Sequence, residues 1–402
     1  MASPPRVLIV GAGIAGPAVA YWLVRHGYQV TLVERTAELR TGGHAVDIRG
    51  TALEVVERMG LASAVRDHRT NIQTLSAVRG AGSQAGSRTY DVALRPLHDA
   101  RGDREIEIMR EDLVRMLYSA VRDDVETVFG DSVRAISQPA DRPAAVEFAS
   151  GRRGEFDLVI GADGQHSSVR LLAFGDEDRF IRPLGAYVSI FTIDNVLGLS
   201  DRAILYNEPN RAAAVFTVRG NQRAKALLLF RSEPLDIDLR DDAAHKALLA
   251  RRFASMGWRT AELIDAMAGA YDFYFDEMSQ VHLPQWSTGR VALLGDSAFG
   301  PSPLSGQGTS LALIGAYLLA HALREGSRSV AAFMRWERGF RPNVIENQRL
   351  AASGMRMLLP STRRAIVARN QALRAMPLLV RLGRGFGSRI ERASRAVRLP
   401  SE

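Results

Sequence analysis

Six residues near the start of the chain limit its fold more than anything that follows. Gly11-Ala-Gly13-Ile14-Ala15-Gly16 stands between an apolar run at 6–10, which reads as a buried strand, and a run at 15–25 that reads as a helix. A second apolar run at 29–33 then ends in Glu34-Arg35. Strand, glycine turn, helix and strand within about 30 residues make a βαβ unit. Gly11 permits the tight turn, Gly13 lets the backbone approach a pyrophosphate with no Cβ in the way, and Gly16 lets the helix pack close to the sheet. The N–H groups of Ile14, Ala15 and Gly16 then face the phosphates with the helix dipole behind them. Glu34, with Arg35 beside it, has the reach and charge to accept hydrogen bonds from an adenosine ribose. The unit alone does not separate NAD from FAD.

A chain of 402 residues is too long for one small core, so a large α/β domain carrying a smaller second one is expected. Helices are expected at 51–59 and 110–121, and short strands at 125–129, 133–137, 145–148 and 156–160. From 184 to 231 the runs at 187–193, 203–206, 212–218 and 225–231 read as antiparallel strands separated by Asn, Gly and Pro turns. Helices follow near 241–255 and 261–268, then an extended stretch at 271–282. The fold class expected is α/β with α+β character: a Rossmann-like nucleotide-binding domain, an inserted β-sheet substrate domain and a helical C-terminus. The corresponding boundaries are 1–71, 104–175 and 280–355 for the discontinuous first domain, 72–103 and 176–279 for the β-rich domain, and 356–402 for the C-terminal segment.

Composition removes several chemistries. With no cysteine there is no disulfide, thiolate nucleophile, iron–sulfur cluster or thioether-bound flavin. The histidines show no metal-ligand spacing, and no metal is expected. The N-terminus runs straight into a strand, leaving no room for a signal peptide. The longest apolar run, 311–323, is broken by Gly315 and His321 and falls short of the roughly 20 residues a membrane span needs. A cytoplasmic monomer or homodimer is expected. The net charge of +8 would attract phosphates, yet no nucleic-acid module is present and no such partner is expected. The arginines after Met355 (Arg363, Arg364, Arg369, Arg374, Arg381, Arg384) alternate with apolar residues and read as a helix packed on the protein rather than on a membrane.

Two further motifs lie far downstream. Residues 157–170, Asp-Leu-Val-Ile-Gly-Ala-Asp163-Gly164-Gln-His-Ser-Ser-Val-Arg, form a buried strand entering a helix. Asp163 can hydrogen-bond a cofactor's polar chain or simply cap that helix. From Arg290 the chain reads Arg-Val-Ala-Leu-Leu-Gly295-Asp296-Ser-Ala, followed by Pro301, Pro303 and Gly306-Gln-Gly308-Thr309-Ser. On these three motifs, in this order, the chain resembles the class A flavoprotein monooxygenases, typified by para-hydroxybenzoate hydroxylase, over most of its length. A narrower likeness joins Gly42-Gly43-His44-Ala-Val-Asp47 and Arg110-Glu-Asp-Leu113 to the tetracycline-inactivating monooxygenases. Departures from the common family pattern are Phe299 in place of His, Ser310 in place of Asn, and Gly315-Ala316 in place of Asp-Ala.

The resemblance implies non-covalent FAD. Asp163 and Gly164 would contact the cofactor and Asp296 its ribityl chain. The loop of Pro303, Gly306, Gly308 and Thr309 would aim N–H groups at the pyrimidine end of the ring, where reduced flavin carries its negative charge. Asp47 and Arg110 match FAD-binding residues of the narrower group, and Arg40 lies near an arginine which that group links to the nicotinamide cofactor. The implied reaction takes a hydride from NADH or NADPH, adds O2 to the flavin, and passes one oxygen atom to an aromatic or polycyclic substrate of the polyketide or antibiotic kind. The alternative is an FAD-dependent dehydrogenase or reductase that inserts no oxygen. A second glycine fingerprint for the nicotinamide is missing: the stretches at 80–86 and 383–387 lack the flanking strand and helix. Oxygen transfer needs a site that excludes water, and Tyr187, Phe191, Phe216, Phe230, Tyr271, Phe273 and Phe275 are the candidates for its walls. His44, beside the expected flavin, is the candidate catalytic base.

Overall fold

A computed structural model describes residues 3–40, 42–79, 88–94, 105–218, 220–238, 241–325, 330–381, 393–394 and 396–401. The glycine stretches 80–86 and 383–387, and Arg384, lie outside them. The parallel core forms where the sequence is apolar on both faces, as a strand covered on both sides requires. Arg6–Val10 pairs in parallel with Gln29–Glu34 on one side and Leu158–Gly161 on the other. Val291–Leu293 and Glu126–Phe129 extend this sheet at its two ends, and Ser287–Thr288 adds an antiparallel edge. Helix Ala15–Arg25 lies against this sheet and against helix Gly308–Glu325, so the first and third motifs share one packing interface. The expected α/β class holds.

Among the described residues the second sheet has seven strands. In spatial order they are Tyr274–Val281, Ile181–Asp194, Arg223–Arg231, Arg211–Thr217, Arg202–Glu208, Thr74–Arg79 and Arg88–Ala93. Its two faces do different jobs because successive side chains alternate across it. One face carries Tyr187, Phe191, Val215, Leu228 and Phe230 and is covered by helices Asp242–Phe253 and Thr260–Ala268 through Leu249, Phe253, Leu263 and Met267. The other, with Val188, Ile190, Leu229 and Met278, turns toward the parallel domain.

The C-terminal segment ties both parts together. Helix Arg363–Arg381 packs on strands Arg88–Ala93 and Arg202–Glu208. Arg369 donates to Met357 O and Asn207 Oδ1, and Arg374 stacks 4.8 Å from the Tyr90 ring centroid. The chain end then returns to the first domain: Asn343 donates to Ala393 O, Thr51 to Val397 O, and Arg58 and Tyr317 to Pro400 O. This helix is packed on protein, as its composition suggested. Among the described residues no helix is long and apolar enough to cross a membrane.

Candidate functional site

The three motifs meet at one cleft, and the glycines show how closely. Gly11, at φ +106°, leaves no room for a side chain: a Cβ there would lie 2.5 Å from the Ala162 carbonyl oxygen, which joins the first motif to the second. A Cβ at Gly295 would lie 3.1 Å from that of Ala15, and one at Gly308 would lie 3.7 Å from Asp296 Oδ1. Helix Ala15–Arg25 begins after Ile14 with no side-chain cap, so its first N–H groups stay available to an anion. Glu34 is buried; one of its oxygens accepts from Ala12 N at 2.8 Å and the other from Thr36 N and Oγ1. Its charge therefore stiffens the glycine turn at the end where an adenosine ribose is expected. Arg35 and Arg40 are exposed. Among the described residues, no hydrogen bond or ion pair joins Arg40 to the cleft.

Arg110 stands at the centre. Its Nη2 is the atom nearest a Cβ at Gly13, 3.7 Å away, and its stem covers Gly43. Its charge is felt by Asp296, His44 and Tyr274. Among the described residues its guanidinium has no ion-pair or hydrogen-bond partner, which makes it a charge-assisted donor free to take an anionic or carbonyl oxygen. Asp296 is exposed within the cleft, flanked by the buried residues Gly295 and Ser297. Burial raises its pKa, Arg110 opposes this, and Asp276 adds to it. A carboxylate of this kind suits hydroxyl donors such as those of a ribityl chain. Asp163 behaves differently: it accepts from Ser167 Oγ at 2.5 Å, Ser168 Oγ at 2.9 Å and Val169 N at 3.1 Å, so it organises the helix start. Gly164, at φ +88°, has open space where a Cβ would be. Uncapped N–H groups, an unpaired arginine and a cleft-facing carboxylate, set around glycines, fit a dinucleotide with a polyol chain. Replacing Arg110 with alanine is expected to weaken FAD binding about tenfold to a hundredfold, the loss of one charge-assisted hydrogen bond; fluorescence titration of apoprotein reads this directly.

Beside the cleft lies a cavity of about 1120 Å³. Its apolar wall is the free face of the seven-stranded sheet: Leu75, Val188, Ile190, Ala203, Phe216, Leu227, Leu229 and Met278. Facing it is a two-stranded ribbon, Ala45–Arg49 paired with Glu105–Met109, that brings Asp47 opposite Glu107 and Arg49 opposite Glu105. Arg49 bonds Glu105 at 2.5 Å and Asp47 at 2.9 Å and reaches the Gly306 carbonyl at 3.4 Å, tying the ribbon to the third motif. Ser310 completes the tie by accepting from Arg49 N and donating to Asp47 O. Sequence reasoning missed Arg49, although Asp47-x-Arg49 on a strand puts both on one face. Pro303, His44 and Tyr274 also line the cavity. Burial, then the charges of Arg110 and Lys225, lowers the His44 pKa to about 4, so the imidazole is neutral at physiological pH and a weak base.

Of the seven aromatics expected in the pocket walls, only Phe216 lines the cavity. Tyr187, Phe191, Phe230 and Phe273 pack under the helices on the opposite face, with Phe275, and Tyr271 is exposed. Tyr274, an aromatic not among those expected, also lines the cavity and lies between two expected ones, since one position along a strand changes the face. Phe230→Ala is therefore expected to cost about 3–5 kcal/mol of stability as a core cavity. Phe216→Ala is expected to cost about 1 kcal/mol while raising substrate KM; urea titrations and steady-state kinetics separate the two.

The comparisons with known proteins agree with this geometry. Residues 5–332 match the family described as FAD binding domain. A Mycobacterium tuberculosis (strain H37Rv) protein described only as uncharacterized is 44% identical over 350 residues, 87% of this chain and 93% of its own. A flavin-dependent monooxygenase of Legionella longbeachae is 38% identical over 352 residues, 86% of this chain and 87% of its own. Among solved structures, tetracycline destructase Tet(55) superposes with a TM-score of 0.84 at 34% identity, covering 100% of both chains.

Proposed function

Because the chain belongs to the FAD-binding-domain family of flavin-dependent monooxygenases, we propose that it oxygenates a flat, polycyclic natural product of the polyketide or antibiotic kind, with NADPH or NADH as electron donor. The observation that carries this reading is the cavity. At about 1120 Å³ it exceeds what a single aromatic ring fills. One wall is aliphatic and the other is the Asp47–Arg49–Glu105 ribbon, so a fused-ring molecule with one hydroxyl- or keto-bearing edge matches both. The relationship to Tet(55), a tetracycline destructase by its description, supports the same class.

Bound in the cleft, FAD supplies hydride acceptance and the activation of O2. The chain's own groups do the rest. Arg110, Asp296 and the start of helix Ala15–Arg25 would hold the cofactor, and the turn at Gly306–Gly308 would present N–H groups to its ring. Val188, Ile190, Leu227 and Leu229 keep water from the site of oxygen transfer. The ribbon orients the polar edge of the substrate, and neutral His44 offers a hydrogen bond without adding charge.

The test uses the FAD-loaded protein with tetracycline, NADPH and isotopically labelled O2. Tetracycline-dependent NADPH consumption and a product carrying one labelled oxygen atom are expected. A product without label would favour the dehydrogenase or reductase reading, and a protein that takes up no FAD would remove both.

A further inference from the structure

A chain of hydrogen bonds leads from the cavity to the surface through residues that the cofactor site does not use. Tyr274 lines the cavity, is 39% exposed, and donates its hydroxyl to Asp276 Oδ2 at 2.8 Å. Asp276 is 8% exposed, and its Oδ1 lies 3.1 Å from His166 Nε2. The other ring nitrogen of His166 is 2.7 Å from Glu177 Oε1, and the His166 and Glu177 side chains are 39% and 36% exposed. Glu177 Oε2 in turn lies 3.5 Å from the buried Arg170. At its inner end the Tyr274 hydroxyl feels the charges of Asp276, Arg110 and Asp296. His166 follows Asp163-Gly164-Gln165 in the second motif, so one short segment serves both the cleft and this chain.

We infer that Tyr274, Asp276 and His166 are a proton relay that carries one solvent proton per turnover to the oxygen chemistry in the cavity. The reading rests on the monooxygenase assignment but not on the identity of the organic substrate. The stoichiometry requires such a proton: reducing one atom of O2 to water with a hydride from NAD(P)H consumes one proton from solvent. Tyr274 gives its hydroxyl proton to the reduced oxygen species in the cavity. Asp276 takes the Nε2 proton of His166 and, after its carboxyl turns, hands it to the tyrosinate. Neutral His166 then regains a proton from water. Hydrogen bonds to Asp276 and Glu177 raise the His166 pKa to about 10, so it is loaded with a proton at neutral pH, while burial and Asp276 raise that of Tyr274, so the phenol is reloaded rather than left ionised. Two carboxylates flanking one imidazole also serve as an ordinary surface ion pair, which the test must separate from the relay.

The test needs no organic substrate. Dithionite-reduced holoenzyme mixed with O2 returns to oxidised flavin and H2O2 with uptake of one proton, followed by flavin absorbance. His166→Ala is expected to slow this reoxidation by about tenfold to a hundredfold, to enlarge its solvent deuterium isotope effect, and to be restored by added imidazole, because the vacated position is open to solvent. A second readout is independent of turnover. In 15N-histidine-labelled, FAD-loaded protein, the His166 ring should hold both protons at pH 8, and Asp276→Asn should release one. Reoxidation within twofold of wild type with an unchanged isotope effect overturns the inference. So does slowing that imidazole does not restore while the FAD content is normal, since that marks a structural ion pair.

Discussion

Gly16→Ala is expected to leave a protein that takes up little or no FAD and unfolds well below the wild type. In most helix interiors the same change stabilises by about 1 kcal/mol, because alanine has the better helix propensity. Here the new methyl would lie 1.9 Å from the Gly11 carbonyl oxygen, a backbone atom that cannot swing aside as a side chain can. Gly11 is itself held by its N–H on Val33 O at 2.8 Å and by the Ala162 carbonyl that faces it. Relief therefore means moving either the helix or the whole turn, and overpacking of this kind costs about 1–3 kcal/mol, outweighing the propensity gain. The displacement falls on the N–H groups meant for the pyrophosphate, so FAD affinity should drop more than stability does. Apoprotein titration with FAD, beside thermal melts with and without it, measures both. A variant that binds FAD within twofold of wild type would contradict the assigned role of the turn.

The second large effect is expected at Lys225. It pairs with Asp272 at 2.6 Å, and the two side chains are 4% and 2% exposed. Asp272 also accepts from Thr192 N and Oγ1. Removing one partner of a buried pair strands the other charge, at a cost of about 3–5 kcal/mol, so Lys225→Met should lose that much at pH 7. Lys225→Met with Asp272→Asn should recover most of it, because the amide keeps a bond to Thr192 and carries no charge. Burial pushes the Asp272 pKa up, but the bonds from Lys225 and Thr192 outweigh this and hold it below its ordinary value. Its contribution is thus complete above the unfolded carboxylate pKa of about 4 and is lost as pH falls through the lower folded value. The gap between wild type and Lys225→Met should accordingly narrow on acidification. Denaturant titrations at pH 7 and pH 4 give the sign. The pair also matters locally: Asp272 packs against Gly42, and the Lys225 charge helps keep His44 neutral.

The cleft could be read from the chain because its glycines answer to backbone geometry. Gly11 and Gly295 sit at positive φ and within contact of other motifs, so no other residue serves and the spacing survives as a signal. The substrate wall could not be read in the same way. Strand Ile181–Asp194 is apolar on both faces, and which face looks into the cavity depends on where helices Asp242–Phe253 and Thr260–Ala268 settle. Aromatic residues are the natural candidates, yet the helix-covered face took five of the seven and left Val188, Ile190, Leu227 and Leu229, with Phe216, to the cavity. Asp163 shows a third case. Both readings of its sequence context were open, and its bonds to Ser167, Ser168 and Val169 go to the helix start.

The order of strands in the parallel sheet has a consequence for how the protein is made. Arg6–Val10 and Gln29–Glu34 leave the ribosome before the other strands of their sheet, which stays incomplete until Val291–Leu293 arrives. At about 5–20 residues per second that wait is roughly 10 to 50 seconds. During it the seven-stranded sheet is synthesised and can pair its own strands, while the nascent nucleotide turn, already beside Leu158–Gly161, still lacks helix Gly308–Glu325 to rest on. The segment that reaches Thr51, Arg58 and Tyr317 emerges later still. A ribosome stalled between residues 282 and 290 would present a finished insert on an unfinished nucleotide fold.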